Sequence, residues 1–314
     1  MKKAKISSQN GIIQSVISFF TPDEEEIDIL TVKGFVQDVI LRMKRVDISA
    51  QGAQLAFFFL LSFFPLLIFA VQLLPFLNFE QAAVFEFLHN IMPAEVYDLI
   101  EGILAEVLTS RNTGLLSVGA LGTIWSASAG ISALIRSLNN AYDTKGRAGI
   151  INRGLSLVFT LALVLVVLIA LVLPVFGQQI GTFMFSFLGV KSDFIELWRS
   201  IRWTMPSIII FVVLLGMYWI VPNTDPRLKI MSVWPGTIFS ASGWLILTTF
   251  FSSYIDNFSN YSATYGSIGG VIILMLWLYF TGMILIFGGL LNASIQKRAL
   301  EKVQRGAGKS TLIK

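Results

Sequence analysis

Histidine is the side chain best suited to moving protons near neutral pH, and this sequence has one, His89. Glu86 lies three residues before it, a weak pair that falls short of the several His and carboxylate ligands a zinc or two-metal centre requires. One histidine in a connecting segment gives no Ser-His-Asp arrangement either. Cysteine is absent, so disulfide and thiolate chemistry are excluded. Gly308-Lys309-Ser310 has the look of the end of a phosphate-binding loop. That pattern needs a glycine where Val303 stands and a helix to follow, but only four residues come after Ser310. The expectation is a chain that is not an enzyme, without catalytic set, metal or cofactor.

Other residues are suited to holding an amphiphile. The stretch Gly119-Ala-Leu-Gly-Thr-Ile-Trp-Ser-Ala-Ser-Ala-Gly-Ile-Ser-Ala-Leu-Ile-Arg136 is apolar but dotted with hydroxyls. Ser126 with Gly130, and Ser128 with Ser132, are small residues four apart, which lets a neighbouring helix approach closely. Trp125, Trp244, Trp277 and Tyr279 fall within long apolar runs, where indole and phenol groups need hydrogen-bond partners. Gln51, Gln54, Ser62 and Gln72 add polar groups to another such run, and together these residues suit the lining of a polar or amphiphile-binding cavity. Arg136 closes its run near one end. An arginine at the centre of a bilayer costs about 2.5–3.5 kcal/mol, whereas near an end it reaches the headgroups. Asn139, Asn140 and Tyr142 beside it add hydrogen-bonding groups. The segment 254–270 is polar, aromatic and without a basic residue, and its Gly266 and Gly270 form another small-residue pair.

The elements that must position these groups follow from composition. Of the 314 residues, 55% are hydrophobic and only 13% charged, about half the charge of a soluble domain. Such a chain has too little polar surface to face water. Crossing ~30 Å of hydrocarbon takes about 20 helical residues. Six intervals qualify: 51–76, 111–136, 155–176, 202–225, 229–256 and 268–293. None alternates with period two, so helices and not barrel strands are expected. The fold class is all-α: a polytopic membrane protein with six transmembrane helices and amphipathic interfacial helices. Three parts are expected: an N-terminal cytoplasmic segment (1–32), a six-helix membrane domain (33–296) and a basic cytoplasmic tail (297–314).

Charge sets the orientation. With the N-terminus inside, only Arg111, Lys191, Arg199 and Arg202 of the 23 basic residues fall outside. Both termini are therefore expected in the cytoplasm. The net charge of +4 reads as topology and not as nucleic-acid binding. Residues 11–20 are too short a run to span and lack a cleavage site, so no signal peptide is expected. Two segments are amphipathic. Phe35, Val36, Val39, Ile40, Met43 and Val46 lie opposite Gln37, Asp38, Arg42 and Arg45, the pattern of a basic helix on the inner membrane surface. On the outer side, Pro93 opens a helix in which Val96, Leu99, Ile100, Ile103 and Val107 face away from Glu95, Asp98, Glu101 and Glu106. Its two readings are packing on the bundle and a lid over a cavity.

Four stretches carry a family resemblance. They are Ala53-Gln-Leu-Ala-Phe-Phe-Phe-Leu-Leu-Ser-Phe-Phe-Pro65, Trp125-Ser-Ala-Ser-Ala-Gly-Ile-Ser-Ala-Leu-Ile-Arg-Ser-Leu-Asn-Asn-Ala-Tyr142, Tyr218-Trp-Ile-Val-Pro-Asn223, and Asn260-Tyr-Ser-Ala-Thr-Tyr-Gly-Ser-Ile-Gly-Gly270 followed by Trp277-Leu-Tyr279. In combination they resemble the YihY/BrkB family of bacterial inner-membrane proteins, over residues 33–292. The resemblance implies six spans and a place in the bacterial cytoplasmic membrane. The family has been called a virulence factor and a transporter, and it has carried a ribonuclease BN label that the residues above do not support. It often ends its last helix with Glu-Leu-Asn, where this chain has Leu290-Leu291-Asn292.

The functional expectation is a transporter or flippase-like permease for a lipid or amphiphilic molecule. Gln54, Trp125, Ser128, Arg136, Asn140 and Tyr265 are the expected pathway residues. Membrane lipids are the expected partners. The rival readings are a non-transporting scaffold for envelope assembly and, behind it, a ribonuclease.

Overall fold

Apolar runs of about 20 residues have few ways to satisfy their backbone in hydrocarbon. Among the described residues every regular element is a helix. The computed structural model describes residues 27–73, 97, 101, 113–188, 193–256 and 267–311. Its helices are α1 (Val32–Val46), α2 (Ile48–Leu73), α3 (Thr113–Ala141), α4 (Gly149–Leu188), α5 (Asp193–Ile220), α6 (Ile230–Asp256) and α7 (Ser267–Thr311). The six from α2 to α7 follow the six expected spans. Five hold a run long and apolar enough to cross a membrane, and α5 adds the shorter run Ser207–Ile220. The first part of α5 carries Glu196, Arg199 and Arg202, which shortens its apolar stretch. The expected outer helix around Pro93, the segment 11–20, His89, Tyr265 and Gly266 lie outside the described residues.

Each long helix packs on the next in chain order, and α7 packs back on α2, which closes a ring of six. Small residues set the closest crossings. A Cβ on Gly236 of α6 would collide with the Gly288 carbonyl of α7, and one on Gly288 would collide with the Ser240 hydroxyl. Pro65 interrupts the backbone ladder of α2, and Gly122 of α3 makes room for its ring: a Cβ there would come within 3.3 Å of Pro65 Cβ.

Buried polar side chains tie the ring where helical ladders are incomplete. Pro235 sits inside α6. Beside it, Gly236 N donates to Asn292 Oδ1 of α7 at 2.7 Å, and Asn292 Nδ2 donates to the Val233 carbonyl at 3.0 Å. The wholly buried Tyr218 of α5 donates its hydroxyl proton to the Leu285 carbonyl at 2.6 Å and lies 2.8 Å from Ser240 Oγ. One phenol thus joins α5, α6 and α7.

The connections 142–148 and 221–229 lie together at one end of the ring, with α1 beside them. Asn139 Oδ1 accepts from Asn223 N at 3.2 Å, and Asn223 Nδ2 donates to the Lys145 carbonyl. Arg147 donates to the Ile220 and Val221 carbonyls, which caps the C-terminus of α5 with positive charge. Lysines and arginines gather here, and we call it the basic end.

The polar stripe of α1 was expected to face water, and the structure corrects this. Gln37, Asp38 and Arg42 are buried together with Val39 and Val46, while Val32 and Val36 are exposed. The cause is an ion-pair network. Asp38 Oδ2 accepts from Arg42 Nε at 2.9 Å and from Ser294 Oγ at 2.7 Å, and its Oδ1 accepts from Lys297 Nζ at 2.8 Å. Arg42 also pairs with Asp143 Oδ2 at 2.9 Å and donates to the Ala141 carbonyl. Burial pushes the Asp38 carboxyl up. Hydrogen bonds from Lys297, Arg42 and Ser294 and the charge of Arg42 outweigh it and hold the group below its usual value.

Thr31 caps α1 by accepting from Gly34 N at 3.0 Å, and Asp47 ends it in the left-handed region at φ 51°. Asp47 Oδ1 then accepts from Ala50 N in the first turn of α2, so one residue turns the chain from surface helix to span. At the other end of the chain, α7 runs unbroken for 45 residues, about 67 Å at 1.5 Å each. That is roughly twice the hydrocarbon thickness. It carries Lys297 and Arg298 to α1, where Arg298 donates to the Leu30 carbonyl and lies over the Phe35 ring.

Candidate functional site

A ring of helices with bulky aromatic and small residues on its inner side leaves space at its centre. A cavity of about 270 Å³ lies there, and every helix from α2 to α7 contributes to its wall. Phe59 and Phe63 of α2, Ile131 and Leu134 of α3, Leu163 and Val167 of α4, and Ile210, Leu214 and Met217 of α5 make most of it apolar. Trp244 of α6 and Trp277 of α7, a tilted pair with centroids 6.2 Å apart, complete it. No residue of the wall is ionisable.

Four hydroxyl side chains line the cavity: Ser62, Thr123, Thr160 and Thr281. Three bond to carbonyls of their own helix. Ser62 donates to Phe59 at 2.8 Å, Thr123 to Gly119 at 2.7 Å and Thr160 to Ser156 at 2.6 Å. The fourth differs. Thr281 is nine-tenths buried, and its Oγ1 has no partner. A buried hydroxyl left alone costs about 1–3 kcal/mol, and Thr281 is the one wall hydroxyl left with a hydrogen bond to give. Chemically the chamber can hold an alkyl or aromatic group and give it one hydrogen bond. Among the described residues no group of three His, Cys, Asp or Glu gathers as metal ligands would.

The expected pathway residues are placed elsewhere. Trp125 is 73% exposed on the outer face of α3, under the Arg153 guanidinium. Arg136 and Asn140 are exposed on the same helix nearer the basic end. Ser128 is fully buried and donates to the Trp125 carbonyl at 2.9 Å. Gln54 is half-buried on α2, and Tyr265 lies outside the described residues. None of the described five lines the cavity, whereas Ser62, Trp244 and Trp277 do. Of the asparagine pair, Asn139 is the buried one: its Nδ2 donates to Ile135 and its Oδ1 accepts from Asn223 and Thr144.

Sequence reasoning missed Thr281, Asp38, Asn139 and Asn292 as structural centres. Asp38 and Arg42 did carry a signal, since an acid four residues before a base on a helix marks an ion pair. Thr281 carried none. Its isolation depends on what the five other cavity-lining helices place around it.

A family model described as "Virulence factor BrkB" matches residues 39–311. The ribonuclease-like protein YfkH of Bacillus subtilis (strain 168) is 42% identical over 84% of this chain and 96% of its own length. The UPF0761 membrane protein VSAL_I2938 of Aliivibrio salmonicida (strain LFI1238) is 28% identical over 80% of this chain and 79% of its own. A UPF0761 membrane protein of Kangiella koreensis is 26% identical over 82% of this chain and 62% of its own. No solved structure matches the chain.

Proposed function

We infer a function from the premise that this chain belongs to the BrkB family of membrane proteins, as its match over residues 39–311 establishes. The function is that of a transporter or flippase-like permease for a lipid or another amphiphilic molecule. The observation that carries this reading is the apolar cavity walled by all six long helices, with the unpartnered Thr281 hydroxyl. A space of about 270 Å³ with an apolar wall suits a segment of an alkyl chain. We place the basic end at the cytoplasmic face of the bacterial inner membrane, because basic loops favour that side.

Two rivals are weaker. A scaffold that engages partners through the polar face of α1 has to undock that face first, since Asp38 and Arg42 are buried against the bundle. A ribonuclease, the activity suggested by the Bacillus relative's name, lacks a supporting side-chain set among the described residues.

The test is reconstitution into liposomes with fluorescent phospholipid and single-chain amphiphile probes. Ala127 lines the cavity, so Ala127→Phe fills it without removing a polar group. The expected result is probe movement above that of empty vesicles, at least tenfold slower in Ala127→Phe. Wild-type vesicles with no movement above the empty control exclude the permease. A folded Ala127→Phe protein with an unchanged rate excludes this cavity as the route.

A further inference from the structure

The outer face of the α3–α4 hairpin carries two cations that the cavity does not use. Ser132 of α3 donates to Ser156 of α4 at 2.9 Å, which fixes the register of the hairpin. Arg136 lies one turn from that pair toward the basic end, and Arg153 lies three residues from it in the same direction. The two arginines therefore share a level on adjacent helices, and both are exposed. Neither has a carboxylate partner among the described residues, whereas Arg42, Arg45, Lys297 and Arg305 all do.

Arg153 does not turn to water. Its guanidinium carbon lies 5.6 Å from the ring centroid of Trp125, which sits two turns on the other side of Ser132. The side chain is thus directed along the groove toward the apolar span. Leu121 beside Trp125, and Val158 and Leu161 on α4, are all exposed and continue that groove as a hydrocarbon-facing surface. A tryptophan within the apolar span, a guanidinium over its ring and a second exposed arginine nearer the basic end make a surface cationic at one end and apolar at the other.

We propose that this groove binds an anionic glycerophospholipid of the leaflet at the basic end. The phosphodiester lies between Arg136 and Arg153, and an acyl chain lies along Trp125, Leu121 and Val158. Charge complementarity selects the occupant. A guanidinium in a low-dielectric setting needs an anion, the protein supplies none here, and guanidinium forks match phosphate oxygens in pairs. Phosphatidylcholine places its own cation against the same two arginines and is disfavoured. The site stands apart from the central cavity and does not require that the protein transport anything.

The test uses the full chain in phosphatidylcholine nanodiscs doped with one-tenth dibrominated phosphatidylglycerol or one-tenth dibrominated phosphatidylcholine. Bromine quenches nearby tryptophan, and the signal of Trp125 is the difference between the native chain and Trp125→Phe. The expected result is at least threefold more quenching of that signal by the brominated anionic lipid. The excess is lost in Arg136→Gln/Arg153→Gln and unaffected by added inorganic phosphate. Equal quenching by the two lipids in the native chain overturns the proposal whatever the variants do. So does an excess that survives the double substitution. Relief by inorganic phosphate overturns it in favour of a site for the free anion. Native mass spectrometry of the unmodified protein provides a check independent of the variants: phosphatidylglycerol should be retained through delipidation when phosphatidylcholine is not, and equal retention counts against the site.

Discussion

Replacing Asp38 by asparagine tests the docking of α1 most directly. The substitution keeps the shape of the side chain but removes the charge that Arg42 and Lys297 share. Breaking a buried pair from one side costs about 3–5 kcal/mol, because the remaining charge stays buried without its partner. Arg42 keeps Asp143 and the Ala141 carbonyl, and Lys297 is half exposed, so the lower end of that range applies. A loss of about 3 kcal/mol raises the undocked population of α1 roughly 100-fold.

The chain contains no cysteine, so a single one can report this opening. Val39 is 7% exposed at the α1 interface, and in Val39→Cys a maleimide reacts only when α1 lifts. Asp38→Asn should speed that labelling about 100-fold at pH 7. The pH dependence has a fixed sign. The docked carboxyl titrates below its usual value of 3.8, so its contribution is complete above that value and lost as pH falls through the lower, docked one. Once corrected for thiol ionisation, labelling of the Asp38 protein should be flat from pH 5 to 8. Labelling changed less than threefold by Asp38→Asn would show that the network does not hold α1 down. A labelling rate that rises between pH 7 and 5 would contradict the depressed titration.

Two further substitutions probe the ring itself. Gly288→Ala drives a methyl into Ser240 and the Gly236 backbone, and overpacking of this kind costs about 1–3 kcal/mol, read as a lower unfolding midpoint in detergent. Asn292→Ala strands Gly236 N at about 1–3 kcal/mol, while the Val233 carbonyl keeps Thr237 Oγ1, so its midpoint should fall by a similar amount; an unchanged midpoint would mean that water reaches Gly236 N.

The spans were legible because hydrocarbon imposes a simple rule: charge must stay out for about 20 residues. The intervals 111–136 and 229–256 are recovered in α3 and α6 for that reason. Neighbouring connections on one face were legible too, since basic residues mark them, and Asn139 and Asn223 duly meet. Hydrophobic periodicity failed for α1. It identifies an amphipathic helix but not which stripe is buried, and here Asp38 finds partners 256 residues away that no local pattern contains. The tryptophans divided for a similar reason. Trp125, Trp244 and Trp277 are alike in sequence context, yet ring closure by α7 turns two inward and leaves the first outside.

That reach along the chain has a bearing on biogenesis. Asp38 is made 256 residues before Ser294 and 259 before Lys297. At translation speeds of about 5–20 residues per second, the carboxylate waits roughly 10–50 s for them. For the same interval the seam between α2 and the still-unmade α7 stands open to the bilayer. A nascent chain that stalls before residue 288 leaves the Gly236 flank of α6 unfilled and Asp38 of α1 without its Ser294 and Lys297 partners.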